Sequence, residues 1–235
     1  MSIFNLFFEI ILEAIFPSSK TDNLLFSYSK ERALEILPPA PVSPITFTQS
    51  IFAYKNDLVK SLIWNIKYKK STKALEIGAY AMYLEIIKIA NSIKAKQVLL
   101  IPIPISQRRK NERGYNQCEL LLNKIVEFDN NLGKSNSNNE TAIISCNDLL
   151  NRITHKDRQT LKDRSHRLED AKNIFGINQE NLDRLKIKLD KLNAGFETVV
   201  IVIDDVITTG STIKEAIVNI QKAGFKDVRG LSLAH

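Results

Sequence analysis

Short apolar runs predict buried parallel strands in two parts of the chain. The first is QVLLIPI at residues 97–103, which ends at Pro102 and Pro104 because proline cannot donate to a central β-ladder. The second part is a series of four segments: an apolar run, a loop of small residues, a helical pattern and another apolar run, at residues 198–203, 204–210, 211–223 and 228–233. This order is typical of a βαβ unit, so we predict the α/β class with a parallel, twisted sheet flanked by helices.

Apolar residues also recur at helical spacing in four other segments, as expected of helices that pack one face on a core. The patterns are carried by Leu58, Leu62, Ile63 and Ile66; by Leu75, Met82, Ile86, Ile89 and Ile93; by Leu120, Leu121, Leu122, Ile125 and Val126; and by Leu182, Leu185, Leu189 and Leu192. The Asn/Ser-rich residues 129–140 predict a flexible loop, and the proline-rich residues 38–44 predict a linker. A small, mostly helical N-terminal region is therefore expected in front of the α/β domain.

The composition of the 235-residue chain favours anionic partners. Hydrophobic residues make up 44% and charged residues 25%, which is enough apolar material for a core. The formal net charge of +7 favours polyphosphate, nucleic acid or a membrane surface as the partner. The two cysteines, Cys118 and Cys146, cannot form a disulfide framework or a four-cysteine zinc site, and the three histidines lack metal-ligand spacing. We therefore expect a reducing, cytoplasmic setting and no zinc.

The N-terminal residues 3–16 are strongly apolar, but Glu9 and Glu13 interrupt them. The stretch is too short to span a membrane, and no basic start precedes it as in a signal peptide. We favour a helix buried against the body of the protein over the alternative, a peripheral contact with a membrane surface.

Residues 200–212 (VIVIDDVITTGST) carry the candidate chemistry. The apolar strand leads into two adjacent carboxylates, Asp204 and Asp205, in front of a loop and a helix start. Ligands of open parallel sheets bind beyond the carboxyl ends of strands, and a helix N-terminus favours an anion. The loop adds hydroxyl donors and Gly210, which lets a phosphate approach the backbone. A ligand that combines a phosphate, hydroxyls and a bound Mg²⁺ satisfies both parts, which points to a sugar 5-phosphate.

Two other phosphate-binding patterns do not fit this segment. A P-loop requires a lysine in the turn, and a dinucleotide-binding turn requires three glycines, whereas the turn here has no lysine and one glycine. The structural alternative is an ordinary strand-to-helix turn whose aspartates cap the helix. Four hydroxyl residues and a glycine directly behind two acids favour the ligand site over this alternative.

Residues 200–212 resemble the fingerprint with which type I phosphoribosyltransferases bind 5-phosphoribosyl 1-pyrophosphate (PRPP). That fingerprint is four apolar residues, two acids, then apolar-apolar-T-x-G-x-T, and every position matches. The resemblance implies that Asp204 and Asp205 contact the ribose hydroxyls and hold Mg²⁺, directly or through water. It also implies that the following residues cradle the 5-phosphate: Val206, Ile207, Thr208, Thr209, Gly210, Ser211 and Thr212.

A narrower resemblance is to the ComF family, proteins associated with natural competence and DNA uptake. It is carried by IPIPISQRRKNERGYNQ at residues 101–117, with support from the turn Ile66-Lys67-Tyr68 and from a spaced pattern at Arg152, Gln159, Leu161, Arg164, Asn173 and Phe175. It covers residues 51–235 and implies a phosphoribosyltransferase-like domain there. Residues 1–50 take the place of the zinc ribbon usual in the family, but they contain no cysteine.

The family resemblance also assigns groups to the leaving diphosphate. It implies a pyrophosphate loop at Pro104, Ile105, Ser106 and Gln107, and a mobile catalytic loop within residues 151–170 that shields the site from water. Among the basic residues of these segments, Arg113 and Arg152 are the candidate catalytic residues, because each lies inside a matched pattern. Negative charge that develops on the diphosphate in the transition state requires such cations.

Three functions remain compatible with these residues. The first is a ComF-type protein that binds PRPP and takes part in handling single-stranded DNA together with other competence proteins. The second is an active phosphoribosyltransferase of nucleobase salvage, although residues 1–95 contain no convincing base-recognition motif. The third is a regulatory module that binds PRPP without transferring its sugar. The acceptor and the oligomeric state cannot be derived from the sequence.

Overall fold

The computed structural model describes residues 20–43, 45–133, 141–153, 174–191 and 198–235. Seven strands occur there: β1 (Thr48–Phe52), β2 (Gln97–Pro102), β3 (Ala142–Ser145), β4 (Leu150–Arg152), β5 (Phe175–Ile177), β6 (Thr198–Val206) and β7 (Val228–Ala234). The helices are α1 (Lys20–Ser27), α2 (Lys30–Ile36), α3 (Asp57–Trp64), α4 (Thr72–Ile93), α5 (Gln107–Arg113), α6 (Gln117–Phe128), α7 (Gln179–Lys191) and α8 (Ser211–Lys222). Two short π-helical turns, Asn65–Lys69 and Asp129–Gly133, extend α3 and α6.

A five-stranded parallel sheet forms the centre of the fold. Its strand order is β1-β7-β6-β2-β3, and every pairing is parallel. The central strands β2 and β6 are mostly apolar and buried, as expected where helices cover both faces of a parallel sheet. Gly78 of α4 lies against Leu233, whereas Ile213 of α8 lies against Gly230. Residues 230 and 233 of one strand point to opposite faces, so α4 and α8 pack on opposite sides. The predicted α/β class and parallel sheet flanked by helices are confirmed.

Side-chain caps fix where the helices around the site begin. Asn56, Ser71, Ser106 and Asn116 each accept a hydrogen bond from a backbone N–H in the first turn of α3, α4, α5 and α6. Each cap satisfies a donor that the helix itself leaves unpaired. Asn116 Nδ2 also donates to the carbonyl of Ile103 at 3.0 Å, which holds the start of α6 beside the end of β2.

The end of β6 differs from the prediction of a loop from Asp204 onward. Asp204 pairs with Ser232 of β7 and Val206 pairs with Ala234, so the strand continues for three more residues. The N–H group of Ile207 then donates to the carbonyl of Ala234 at 3.0 Å. Both acidic residues therefore lie on the sheet itself, at its carboxyl edge, where backbone pairing holds them in position.

A separate two-stranded antiparallel ribbon, β4 with β5, lies on either side of residues 154–173 in the sequence. The N–H groups of Ile174 and Phe175 donate to Glu215 Oε1, which joins the ribbon to α8. The predicted catalytic loop lies outside the described residues except at its start, and so do Gln159, Leu161, Arg164 and Asn173 of the spaced pattern.

The N-terminal helices α1 and α2 pack against α3 and α4 of the larger domain, with Leu25 and Ala33 fully buried. The apolar residues 3–16 lie outside the described residues, and the proposed boundary near residue 50 stays a prediction. In the part of the chain that the structure describes, no helix has both the length and the apolar composition needed to cross a bilayer.

Candidate functional site

A cavity of about 700 Å³ opens at the carboxyl edge of the sheet. Asp204 and Asp205 line it from the end of β6, Thr208 from the loop after β6 and Thr212 from the first turn of α8. Further lining residues come from other segments of the chain: Tyr54, Lys67, Tyr68, Pro104, Ile105, Ser106, Arg108, Arg109, Arg113, Cys118 and Arg152. We call it the acid-pair cavity. Residues that are distant in the sequence meet here because β1, β2 and β6 all end at the same edge.

The two carboxylates of the acid pair differ in their contacts. Asp205 is 4% exposed, its Oδ1 accepts the N–H of Val206 at 2.7 Å, and its Oδ2 lies 3.1 Å from Lys67 Nζ. The ammonium therefore compensates the charge of Oδ2 without a well-aligned hydrogen bond, and no other donor among the described residues makes one to this buried oxygen. Asp204 Oδ1 accepts the N–H of Asp205 at 2.9 Å and lies 3.8 Å from Cys118 Sγ.

Burial and the neighbouring negative charge govern protonation at this site. Burial, together with the charge of Asp205, raises the pKa of Asp204 to about 8. Burial and the two carboxylates raise the pKa of the Cys118 thiol well above its ordinary value. A carboxyl group with a strongly raised pKa in a cleft is a typical feature of a functional site. Cys118 stays a protonated thiol and is therefore unsuited to act as a nucleophile.

The loop after β6 leads into the N-terminus of α8 through a glycine. Gly210 is the N-cap residue and has φ 72°, in the left-handed region, and no side chain caps the helix. A Cβ at Gly210 would lie 2.0 Å from Ile45 Cδ1, so a larger residue there requires the Ile45 side chain or the loop to move. The hydroxyls of Thr209 and Ser211 lie 3.1 Å apart, and Thr208 is exposed. The N–H group of Ser211 is 3.5 Å from Thr209 Oγ1, so hydroxyl groups and the first turn of α8 lie close together.

Not every residue of the predicted cradle lines the cavity. Ile207 is 3% exposed and packs in the core, while its carbonyl oxygen accepts a hydrogen bond from His235 Nδ1 at 2.9 Å. Thr209 and Ser211 are exposed and Gly210 is buried against Ile45, and none of the three lines the cavity, whereas Val206 does. The contribution of Ile207 is therefore to fix the loop to the end of β7.

The predicted pyrophosphate loop forms the wall between the acid-pair cavity and a second cavity of about 650 Å³. Pro104, Ile105 and Ser106 line both cavities, whereas Gln107 lines only the second. The N–H group of Ile103 donates to the carbonyl of Ile203, which holds the loop beside the acid pair.

The two candidate arginines reach the cavity from different sides. The Arg113 guanidinium lies 4.8 Å from the centre of the Tyr68 ring, and its Nη1 donates to Gln117 Oε1 at 3.0 Å. Arg152, on β4, lies 5.7 Å from the Phe175 ring and lines both cavities. Arg113, Tyr115 and Gln117 of the Arg-Gly-Tyr-Asn-Gln segment thus contact or line the site region, as Tyr115 Oη donates to the carbonyl of Ile66 at 3.2 Å. The capping role of Asn116 is structural.

Lys67 is a site residue that the sequence interpretation did not single out. It lies in the π-helical turn Asn65–Lys69, and its charge was one of many in a lysine-rich stretch. The matched turn Ile66-Lys67-Tyr68 was the one signal that pointed to it. The described residues contain no group of three or more histidine, cysteine, aspartate or glutamate side chains that would hold a metal ion without help from a ligand.

The fold and the site define a class: an α/β protein whose parallel sheet carries an acid pair and a hydroxyl-rich turn at its carboxyl edge. The sequence matches no protein-family model. It is similar to Competence protein F of Haemophilus influenzae (strain ATCC 51907 / DSM 11121 / KW20 / Rd), with 27% identity over 175 residues. The alignment covers 74% of this chain and 66% of that protein, just under two thirds of its length. This similarity supports a ComF-like relationship.

Proposed function

We propose that this protein binds PRPP in the acid-pair cavity. The observation that carries the proposal is the meeting, within about 700 Å³, of the adjacent carboxylates Asp204 and Asp205, hydroxyl side chains and several cations, with Glu112 as a further acid on the wall. Pentose hydroxyls donate to carboxylates such as Asp204 and Asp205. A 5-phosphate matches the hydroxyls of Thr208 and Thr212 and the uncapped first turn of α8. Each part of PRPP thus has a chemically suited partner.

The diphosphate of PRPP would then lie toward the loop at Pro104, Ile105 and Ser106. Arg113 and Arg152 also line the cavity and would supply the positive charge that a diphosphate needs. Arginine suits this role because its planar fork can bind two phosphate oxygens at once. This arrangement also suits a transferase, and release of pyrophosphate in the presence of common nucleobases would distinguish a transferase from a module that only binds.

Magnesium fits the donor set of this site. Carboxylate oxygens and phosphate oxygens are the ligands it prefers, and Asp204 and Asp205 would hold it directly or through water. Its role there would be to neutralise the diphosphate. Asp205 Oδ2 is already paired with Lys67, so the chain itself supplies one positive charge to the acid pair.

Calorimetric titration of the purified protein with PRPP in the presence of Mg²⁺ tests the proposal. We expect binding of PRPP, and at least about tenfold weaker binding of ribose 5-phosphate and of pyrophosphate alone, because each contacts only part of the cavity. Pyrophosphate binding as tightly as PRPP would mean that a basic protein merely attracts anions, and it would refute the proposed site.

We further propose that the protein acts in competence, the process for which its relative is named, and specifically in DNA uptake. Besides that name, the support is the exposed basic helix α5 at the mouth of the acid-pair cavity, where Arg108, Arg109 and Lys110 occur in succession. Contacts with other competence proteins belong to the same proposal.

Filter binding of a single-stranded oligonucleotide at two salt concentrations tests the DNA part. The affinity should fall steeply with salt, because each neutralised phosphate releases counterions. Replacing Arg109 and Lys110 by glutamine should weaken binding and reduce the salt dependence. No measurable binding even at low salt would contradict a direct DNA contact and leave the PRPP site unaffected.

A further inference from the structure

The Lys67 ammonium forms an ion pair with Asp205 at the position where a bound metal ion would contact the acid pair. Lys67 Nζ lies 3.1 Å from Asp205 Oδ2, and the two side chains are 21% and 6% exposed. Surface lysines normally keep the ammonium group in water, whereas the Lys67 ammonium lies inside the cavity. Here the ammonium lies on the carboxylate that the proposed function assigns to the pentose.

The turn that carries Lys67 is held in place from several sides. Tyr115 Oη donates to the carbonyl of Ile66, and the rings of Trp64 and Tyr68 lie 4.2 Å apart. Lys70, with φ 48°, ends the turn, and the N–H group of Ser71 donates to the carbonyl of Asn65. A π-helical turn places its side chains differently from an α-helix and often occurs at functional sites. Lys67 is therefore presented to the acid pair in a fixed position.

The charges around the acid pair disfavour a divalent metal ion there in addition to the Lys67 ammonium. Asp204 and Asp205 are adjacent acids, and Lys67 is the lysine that lines this part of the cavity. A divalent ion bound directly to Asp205 Oδ2 would lie close to the ammonium and be repelled by it. The same ion bound to a diphosphate on the far side of the cavity would be repelled much less.

We propose that Lys67 is the resident cation of the acid pair: it neutralises Asp205, so that a pentose 5-phosphate binds without a divalent ion, and magnesium serves the diphosphate alone. This inference rests on the proposed function for its ligand. It assigns Lys67 a positioning role and predicts which part of PRPP depends on magnesium.

Two binding measurements on three variants test the inference. Lys67→Met removes the charge at nearly constant length, and Lys67→Arg keeps it. Lys69→Met is a matched control, because Lys69 lies on the same turn, has the same 21% side-chain exposure and pairs with Asp22 at 3.7 Å, outside the cavity. The first measurement is Mn²⁺ binding to the protein alone by electron paramagnetic resonance. The second is calorimetry with ribose 5-phosphate, with Mg²⁺ or with a chelator.

For Mn²⁺ alone, Lys67→Met is expected to bind at least about tenfold more tightly than the parent, because the acid pair has lost its own cation. Lys67→Arg and Lys69→Met should resemble the parent. Adding Asp205→Asn to Lys67→Met should abolish the gain. Equal Mn²⁺ affinity in the parent and Lys67→Met would overturn the inference, whatever the sugar phosphate does.

For ribose 5-phosphate, affinity of the parent should change less than about twofold when Mg²⁺ is removed. Affinity of Lys67→Met should fall at least about tenfold without Mg²⁺ and recover with it. Identical Mg²⁺ dependence in both proteins would overturn the role of Lys67 but leave the PRPP site intact. If the parent bound neither ribose 5-phosphate nor PRPP, the proposed function itself would be wrong.

Discussion

Replacing Asp204 and Asp205 together by asparagine is expected to weaken PRPP binding roughly 30-fold or more, measured by calorimetry at constant Mg²⁺. Asparagine keeps the shape of each side chain but removes the negative charge that each carboxylate carries when a pentose hydroxyl donates to it. A hydrogen bond to a charged acceptor contributes about 1 kcal/mol more than a neutral one, and about 1.4 kcal/mol corresponds to a tenfold change in affinity. Two such bonds account for the expected size.

The fold should tolerate this change at Asp204 in particular. Burial raises the pKa of that carboxyl group to about 8, so a neutral asparagine avoids the cost of ionising it. The matched control is Asp227→Asn. Asp227 lies directly before β7, at the amino ends of the strands and away from the acid pair, and it pairs with Arg229 at 2.8 Å. The control should bind PRPP like the parent. Unchanged affinity in the Asp204/Asp205 double variant would refute the assignment of the acid pair.

Gly210→Ala should both destabilise the protein and weaken phosphate binding at least about tenfold. The residue has φ 72°, and an added Cβ would lie 2.0 Å from Ile45 Cδ1. The left-handed backbone alone costs about 1 kcal/mol for alanine. The contact with Ile45 adds to this, because either the loop or its neighbour must move. A displaced loop no longer directs its N–H groups and hydroxyls to one point, and the titration with PRPP measures the loss.

Two further variants separate the causes of the Gly210→Ala effect. Gly224 also has a positive φ, 106°, but no atom lies within 4 Å of an added Cβ, so Gly224→Ala should show only the backbone cost. Adding Ile45→Ala to Gly210→Ala should recover the part of the unfolding free energy that the collision accounts for. A Gly210→Ala protein as stable as Gly224→Ala, with parental PRPP affinity, would contradict the described loop.

The elements that the sequence predicted are those with a strong local pattern. The apolar runs of β2, β6 and β7 and the periodic faces of α4, α6 and α8 were all found where expected. The edge strand β1, TQSIF, was missed because it mixes polar and apolar residues, and β3 because it has only four residues behind an Asn/Ser-rich stretch. Helix α5 was missed because none of its residues is buried, so it has no apolar period to detect.

The candidate site was predictable only where one continuous segment carries it. Asp204 and Asp205 and the turn that follows are contiguous, so a short pattern was enough to single them out. Lys67 reaches the same place from a turn between two helices far earlier in the chain. Its sequence neighbours, Lys69 and Lys70, carry the same charge, and only the fold shows which of the three lies on Asp205.

A crystal structure with ribose 5-phosphate bound would test the central claim most directly. We expect the phosphorus atom at the first turn of α8, beside Thr208 and Thr212, and the ribose hydroxyls within hydrogen-bond distance of Asp204 and Asp205. Electron density for the sugar phosphate in the second cavity or on the basic surface of α5, with the acid pair still paired only to Lys67, would contradict the account.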